Sequence, residues 1–223
     1  MVRKRELLAE DSTPDGTPVT LTREAGAFVV AVAGQSLMAS DVHGSEEHMS
    51  ELACAPLRDR KGVRVLVGGL GMGFTLRAAL DHLGADARVV VCELLPCLVE
   101  WNRGPLGPLA GHPLDDPRTE LVIADLVDHV RAVRRAYDVM LLDVDNGPEP
   151  FTQPSNERLY SIDGLRTLRE ALRPRGTLVV WSGFRSDAFE KRLRRAGFEE
   201  EVVPVKARIR KGGQHFLYVG RAP

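Results

Sequence analysis

The spacing of apolar and polar residues differs between the first 43 residues and the rest of the chain. In the first 43 residues, two short β-rich runs, Val19–Arg23 and Ala27–Val32, are separated by the turn sequence EAG. Such runs on either side of a short polar turn are typical of a β-hairpin or a small antiparallel sheet. We therefore predict a small N-terminal β region over residues 1–43, followed by a larger domain over residues 44–223.

The larger domain starts with a predicted helix over residues 44–57, with Ser45 as its N-cap, and then alternates between apolar runs and helical segments. The predicted strands are Val63–Val67, Arg88–Cys92, Glu120–Ile123, Val139–Leu142, Thr177–Trp181, Glu201–Ala207 and His215–Gly220. The predicted helices between them are Thr75–Leu83, Leu95–Arg103, Leu126–Ala136, Ser161–Leu172 and Asp187–Ala196. Nearly continuous apolar strands such as VVVC, LVI and VMLL indicate burial on both faces.

This alternation predicts an α/β fold with a doubly wound, mostly parallel sheet of seven strands. The last two strands are joined by the turn sequence RKGG rather than by a helix, so we expect them to pair antiparallel. Five strand–helix units that end in an antiparallel hairpin resemble the fold of class I S-adenosylmethionine-dependent methyltransferases. The fold alone is a weak guide to function, so the candidate sites must decide it.

Composition and charge limit the expected partners and location of the protein, but they do not indicate its reaction. The chain has 223 residues and a formal net charge of −1, so we expect no general attraction to nucleic acid or to an anionic membrane. Its three cysteines do not form a disulfide framework or a zinc motif. The sequence holds neither a signal peptide nor an apolar run of about 18 residues, which predicts a cytoplasmic protein.

A glycine-rich turn follows the first strand of the larger domain, in VRVLVGGLGMGFTLRAAL. Its glycines are Gly69, Gly71 and Gly73, and Phe74 occupies the place of the third glycine of a dinucleotide-binding motif. No GK[ST] sequence follows, which excludes a phosphate-binding P-loop. The spacing therefore favours an adenosyl cofactor such as S-adenosylmethionine, approached by Gly69, Gly71, Met72 and Gly73. A tight turn without a ligand is the structural alternative.

Acidic residues end the three strands that follow. Glu93 lies where a carboxylate can accept hydrogen bonds from both ribose hydroxyls, and Asp125, with Leu126 directly after it, lies where the adenine would be held. Asp143 follows the next strand and is our candidate catalytic base, which also contacts the cofactor. Each acid alone could equally be an ordinary helix cap or turn residue. Together they lie at one rim of the sheet, where open α/β folds bind ligands.

Further candidates lie around this rim. We expect Asp145, Asn146 and Tyr160 to contact the acceptor substrate, and His48 to be the titrating group near the transferred carbon. Arg208 and Arg210 belong to a basic hairpin that would favour an anionic acceptor if it turned toward the site. Structural roles are the alternatives: a buried tyrosine, a polar helix residue and a solvated hairpin.

The motifs together resemble the spermidine synthase (polyamine aminopropyltransferase) family over almost the whole chain. GSEEHMSELACAPL before the glycine turn, VVVCEL, LVIADL, YDVMLLDVDN, NERLYSIDGLRTLREALRPRGTLVV and GGQHFLYVGRA each resemble the corresponding family segment. The resemblance implies that Asp143 is the catalytic aspartate, that Glu93 and Asp125 hold ribose and adenine, and that the protein is a homodimer.

The chain departs from the family pattern at Met72 and at Asn146. The family has an aspartate at the position of Met72 that holds the amino group of decarboxylated S-adenosylmethionine, and a second acid at the position of Asn146. Because methionine does not repel the carboxylate of ordinary S-adenosylmethionine, we predict methyl transfer from that cofactor to a small, anionic acceptor. The alternatives are aminopropyl transfer from decarboxylated S-adenosylmethionine and a non-catalytic adenosyl-binding module.

Overall fold

The computed structural model describes residues 5–144, 155–206 and 213–223, and of residues 155–157 the backbone alone. Its first part is an antiparallel sheet of four strands in chain order. These strands are β1 Arg5–Ser12, β2 Pro18–Glu24, β3 Ala27–Val32 and β4 Gln35–Ala39. The predicted hairpin corresponds to β2 and β3, and the sequence prediction missed β1 and β4.

Two-residue turns join β2 to β3 and β3 to β4. Ala25 and Gly26 have φ values of 51° and 91°, and Ala33 and Gly34 have φ values of 51° and 78°. Positive φ at both central residues is the geometry that matches the twist of a β-hairpin. The small sheet ends at Ala39 and the next helix begins at Gly44. The division into two domains after residue 43 stays a prediction.

The second sheet has seven strands and confirms the predicted fold class. Its strands are β5 Arg64–Gly68, β6 Arg88–Glu93, β7 Thr119–Ile123, β8 Tyr137–Leu142, β9 Leu172–Ser182, β10 Glu199–Lys206 and β11 Gln214–Arg221. They lie in the order β10-β11-β9-β8-β5-β6-β7. Strands β7, β6, β5, β8 and β9 are parallel, and β11 pairs antiparallel with both β9 and β10.

Helices cover both faces of this sheet. They are α1 Gly44–Cys54, α2 Phe74–His82, α3 Pro96–Arg103, α4 Leu126–Arg131, α5 Ser155–Tyr160, α6 Ile162–Ala171 and α7 Asp187–Arg195. Within the described ranges, none of them is long and apolar enough to cross a membrane. Two predicted details were wrong: α4 ends at Arg131 rather than near Ala136, and the N-cap of α1 is His43 rather than Ser45.

Burial follows the position of each strand. Strand β8 is buried along its whole length, and β5 and β6 are buried except at their first residues. Strand β7 lies at the edge, where Ile123 is 51% exposed, so its apolar run is not buried on both faces as we expected. Strand β5 has β6 on one side and β8 on the other, which makes its carboxyl end the topological switch point where such sheets bind ligands.

Candidate active site at the carboxyl ends of the strands

A cavity of about 430 Å³ opens at this switch point. Strand β4 of the small sheet contributes to its wall, together with the residues that follow β5, β6, β7 and β8. The structure brings seven of the predicted cofactor-binding residues to this wall: Gly69, Gly71, Met72, Glu93, Asp125, Leu126 and Asp143. The volume lies in the range of small-molecule sites.

The glycines of the turn have different roles. Gly69 has a φ of +88°, and a Cβ atom there would lie 2.5 Å from the main-chain oxygen of Asp143. Only glycine therefore allows the turn after β5 to approach the end of β8 so closely. Gly73 does not line the cavity: its φ is +85°, and its missing Cβ leaves room for Asn102 and Pro113. We predicted Gly73 as a cofactor contact, but its position serves packing at the start of α2.

Glu93 is buried at the end of β6 and is held by the backbone. Its two carboxylate oxygens accept hydrogen bonds from the main-chain nitrogens of Leu70 and Leu95, each at 2.8 Å. Burial raises the pKa of this carboxyl, and the backbone donors act in the opposite direction. The main chain of Leu94 and Gly71 also interacts with this carboxylate, which lines the cavity where ligand hydroxyl groups would approach.

Asp125 combines the two roles that the sequence left open. Its Oδ1 accepts a hydrogen bond of 2.7 Å from the main-chain nitrogen of Val127, so it is the N-cap of α4. It also lines the cavity beside Leu126. Capping uses one position on one oxygen, which leaves the carboxylate able to accept from a ligand amino group.

Asp143 follows β8 and is fixed by α2. Its Oδ2 accepts a hydrogen bond of 2.9 Å from the hydroxyl of Thr75, and the carbonyl of Thr75 accepts one of 3.0 Å from Ser50. Burial raises the pKa of Asp143, while the bond from Thr75 lowers it. A carboxylate with a raised pKa at a cavity wall has the properties of a general base.

Glu46 on α1 is a fourth carboxylate of the cavity, and sequence reasoning missed it. Its Oε2 lies 2.6 Å from the hydroxyl of Ser45, which lies 3.0 Å from both Trp181 Nε1 and His215 Nδ1. Burial and the nearby charge of Asp143 raise the pKa of Glu46 to about 8.

Helical periodicity contains the signal that would have found Glu46. Met49 and Ser50, three and four residues later, are fully buried, whereas His48 and Glu51 are exposed. Residues at these spacings lie on the same face of a helix, so Glu46 belongs to the buried face of α1. His48 instead lines a shallow groove with Pro204 and does not reach the cavity. Its predicted role near the transferred carbon is therefore not supported by its position.

Of the residues predicted to contact the acceptor, Tyr160 alone is among those that the structure describes. Tyr160 is 1% exposed and does not line the cavity; its ring lies edge-on to Phe189 and its hydroxyl donates to the main-chain oxygen of Val144 at 3.4 Å. Its position is that of a core tyrosine, which is the structural alternative named above. The remaining predicted contacts lie outside the described residues: Asp145, Asn146, Arg208 and Arg210.

The sheet order defines a methyltransferase-like domain, with an acidic cavity at the carboxyl ends of its strands. Residues 45–190, well over half of the chain, match the family model described as the spermine/spermidine synthase domain. The chain belongs to this family, which confirms the resemblance seen in its motifs.

Curated relatives carry the name polyamine aminopropyltransferase. The chain is 37% identical to polyamine aminopropyltransferase 1 of Streptomyces coelicolor over 121 residues, which cover 53% of this chain and 22% of that protein. It is 32% identical to polyamine aminopropyltransferase 1 of Hyperthermus butylicus over 144 residues, with 57% and 44% covered. It is 27% identical to the enzyme of Saccharolobus solfataricus over 177 residues, with 78% and 57% covered. The chain thus spans less than two thirds of each of these relatives.

Solved structures agree on the fold. A crystal structure of spermidine synthase from Thermotoga maritima superposes with a TM-score of 0.74 at 20% identity, covering 98% of this chain and 73% of that one. A spermidine synthase in complex with the transition-state analogue AdoDATO superposes with the same score, identity and coverage. At this identity the similarity concerns the architecture.

Our hypothesis of methyl transfer to an anionic acceptor was wrong, because the relatives are polyamine aminopropyltransferases. The cavity supplies a physical reason. Among the described residues that line it there is no lysine or arginine, and there are four carboxylates: Glu46, Glu93, Asp125 and Asp143. Where these carboxyl groups are ionised, such a wall repels anions and attracts cations. The absence of an acid at Met72 therefore does not make the cavity suitable for an anionic substrate.

Proposed function

We propose that the chain transfers an aminopropyl group from decarboxylated S-adenosylmethionine to a small amine. The observation that carries the proposal is the match of residues 45–190 to the spermine/spermidine synthase domain, together with relatives that are named polyamine aminopropyltransferases. The acidic cavity supports it, because the donor and a polyamine acceptor are both cations and bind best near carboxylates.

The positions of the acids agree with the shape of the donor. Glu93 at the end of β6 would accept hydrogen bonds from the ribose hydroxyls, and Asp125 at the neighbouring strand would accept one from the adenine amino group. The glycine turn after β5 then lies beneath the sulfur. The aminopropyl arm would extend toward β8, where Asp143 lies. Held in this way, donor and acceptor meet in an orientation that favours displacement.

The reaction is a displacement at the carbon bonded to the sulfonium sulfur. The lone pair of the acceptor nitrogen attacks that carbon, the carbon–sulfur bond breaks, and its electron pair stays on sulfur to give neutral 5′-methylthioadenosine. Before the attack, Asp143 accepts a proton from the acceptor ammonium, which frees that lone pair, and it then passes the proton to solvent. The buried position of Asp143 raises its pKa, so it is a stronger base than an exposed aspartate.

The proposal is tested by incubating the purified chain with decarboxylated S-adenosylmethionine and a panel of diamines and polyamines. We expect equimolar 5′-methylthioadenosine and aminopropylated amine by mass spectrometry. Asp143→Asn should reduce turnover by about 100-fold or more and leave donor binding nearly unchanged, because Thr75 can still donate to the amide oxygen. Donor binding without transfer to any amine would contradict the proposal and favour the non-catalytic adenosyl-binding module. The homodimer and the cytoplasmic location stay predictions.

A further inference from the structure

Met72 leaves the amino group of the donor without the acid that the family resemblance assigns to it. The side chain is 4% exposed and belongs to an apolar cluster with Leu95, Leu98 and Trp101. It therefore presents a methionine surface to the cavity, where it cannot compensate a charge. An ammonium group placed there without another partner would lose its hydration and gain little in return.

The order of the carboxylates along the sheet shows where another partner lies. Asp125 follows β7, Glu93 follows β6, the glycine turn follows β5, and Asp143 follows β8. Glu46 belongs to α1, and Ser45, the residue before it, contacts Trp181 of β9. Glu46 therefore lies beyond the glycine turn, on the β8 side of the cavity. A donor whose adenosine occupies Asp125 and Glu93 directs its arm toward this side of the cavity.

The side chain of Glu46 is held in place before any ligand arrives. The hydroxyl of Ser45 donates to its Oε2 at 2.6 Å, and Trp181 Nε1 donates to the same hydroxyl at 3.0 Å. His215 Nδ1 lies 3.0 Å from Ser45, and its ring lies edge-on to Trp181 with centroids 4.7 Å apart. A carboxylate oxygen has more acceptor positions than this one bond uses, so Glu46 can receive an ammonium group without losing its support.

Asp143 is less suited to that task. Its Oδ2 already accepts the bond from Thr75. Its proposed role requires it to take a proton from the acceptor nitrogen, and a carboxylate paired with the donor ammonium is a weaker base. The donor ammonium and the acceptor amine must both be bound, and the cavity offers two carboxylates on the β8 side, one for each.

We propose that Glu46 is a specificity-determining residue that binds the ammonium group of the donor, in place of the acid that Met72 replaces. The inference rests on the proposed aminopropyl transfer. Glu46 would favour the decarboxylated donor, which carries only an ammonium group at that end, over ordinary S-adenosylmethionine, which also carries a carboxylate. The residue that distinguishes between the two donors would then lie on α1 instead of in the glycine turn.

Calorimetric binding of three ligands to the full chain, at about pH 9 where Glu46 is ionised, tests this assignment: decarboxylated S-adenosylmethionine, S-adenosylmethionine and 5′-methylthioadenosine, which lacks the charged arm. Glu46→Gln should weaken binding of the decarboxylated donor about 10- to 100-fold, the effect of a charge-assisted hydrogen bond. Its preference over S-adenosylmethionine should fall by about tenfold or more, and 5′-methylthioadenosine should bind as before. Glu46→Asp, which keeps the charge, should retain part of the preference.

Glu51→Gln is the matched control, because Glu51 is exposed on the same helix and does not line the cavity. It should leave all three affinities unchanged. Equal weakening of 5′-methylthioadenosine and of the donor in Glu46→Gln would mean general damage to the site and would overturn the inference. Unchanged donor binding would overturn it as well. The wild type could bind the donor, and Glu46→Gln could weaken that binding, without any aminopropyl transfer by the wild type. This result would contradict the proposed function but not the role of Glu46 in donor binding.

Discussion

Replacing Glu46 by glutamine should stabilise the empty protein at alkaline pH and change it little at acidic pH. The substitution removes a carboxylate that lies at the cavity wall and senses the charge of Asp143. It preserves shape and an oxygen that can accept the hydrogen bond from Ser45. The comparison therefore isolates the free energy of holding this charge in the folded state.

The sign follows from the raised pKa of Glu46 in the folded protein. Its pKa rises from 4.5 to about 8, so the native state binds a proton in this interval that the unfolded state has released. The free energy of unfolding of the wild type must then fall as the pH rises from about 4.5 to about 8, and it stays lower above that range. Below the unfolded-state pKa both states are protonated and the effect disappears.

The magnitude has an upper limit. One pKa unit corresponds to about 1.4 kcal/mol, so a rise from 4.5 to about 8 would destabilise the protein by up to about 5 kcal/mol. Solvent reaches part of the side chain, and part of the rise comes from Asp143, which titrates together with Glu46. We therefore expect Glu46→Gln to gain about 2 kcal/mol above pH 8.

Urea denaturation of wild type and variant at about pH 5 and about pH 9 measures this difference. The midpoint of Glu46→Gln should clearly exceed that of the wild type at the higher pH and only slightly at the lower one, which lies just above the unfolded-state pKa of 4.5. Glu51→Gln provides the baseline for removing an exposed charge from the same helix. A stability gain that is equal at both pH values, or a loss that grows with pH, would refute the assignment of a strained, buried charge to Glu46.

Three further substitutions test residues that position Asp143 or stabilise the fold around the site. Gly69→Ala should lower the free energy of unfolding by about 2–4 kcal/mol more than Gly26→Ala in urea denaturation: both glycines have φ near +90°, but only at Gly69 would the new Cβ meet the main-chain oxygen of Asp143. Thr75→Val removes the hydrogen bond that lowers the pKa of Asp143, so the acidic limb of the pH–rate profile should move to higher pH, whereas Thr75→Ser should leave it in place. Asp138→Ala should lower the free energy of unfolding by about 3 kcal/mol in the same denaturation assay without changing donor affinity, because this buried carboxylate pairs with two arginines at 2.7 Å and does not line the cavity.

The larger domain was predictable because its strands carry a strong signal. Strands buried between two layers of helices must be apolar throughout, and β5, β6 and β8 each stand out as such a run. Strand β1 gives no comparable signal, because its sequence RELLAEDS is mostly exposed at the edge of the small sheet. Strand β4 has only five residues, and none of them is buried. Both are identified by their pairing with neighbours, which a local pattern does not contain.

Site residues at the carboxyl end of a parallel strand could be predicted from the sequence. Glu93, Asp125 and Asp143 follow parallel strands, and the topology alone brings their side chains to one rim. The buried face of α1 was harder to predict, because polar residues, three of them glutamates, are distributed along much of the helix. The prediction that His48 reaches the site assumed the wrong face of α1, since the buried positions Met49 and Ser50 lie on the face of Glu46.

The choice of chemistry depends on the charge of the whole cavity rather than on one position of the glycine turn. Met72 removes one acid, which taken alone made ordinary S-adenosylmethionine acceptable. Electrostatic attraction acts over several ångströms at low dielectric, so a carboxylate on another element can replace it. Glu46 comes from α1, and its link to Ser45, Trp181 and β11 exists only in the folded chain. A single substitution in a binding motif therefore indicates a change of ligand only after the charges of every wall of the cavity have been added together.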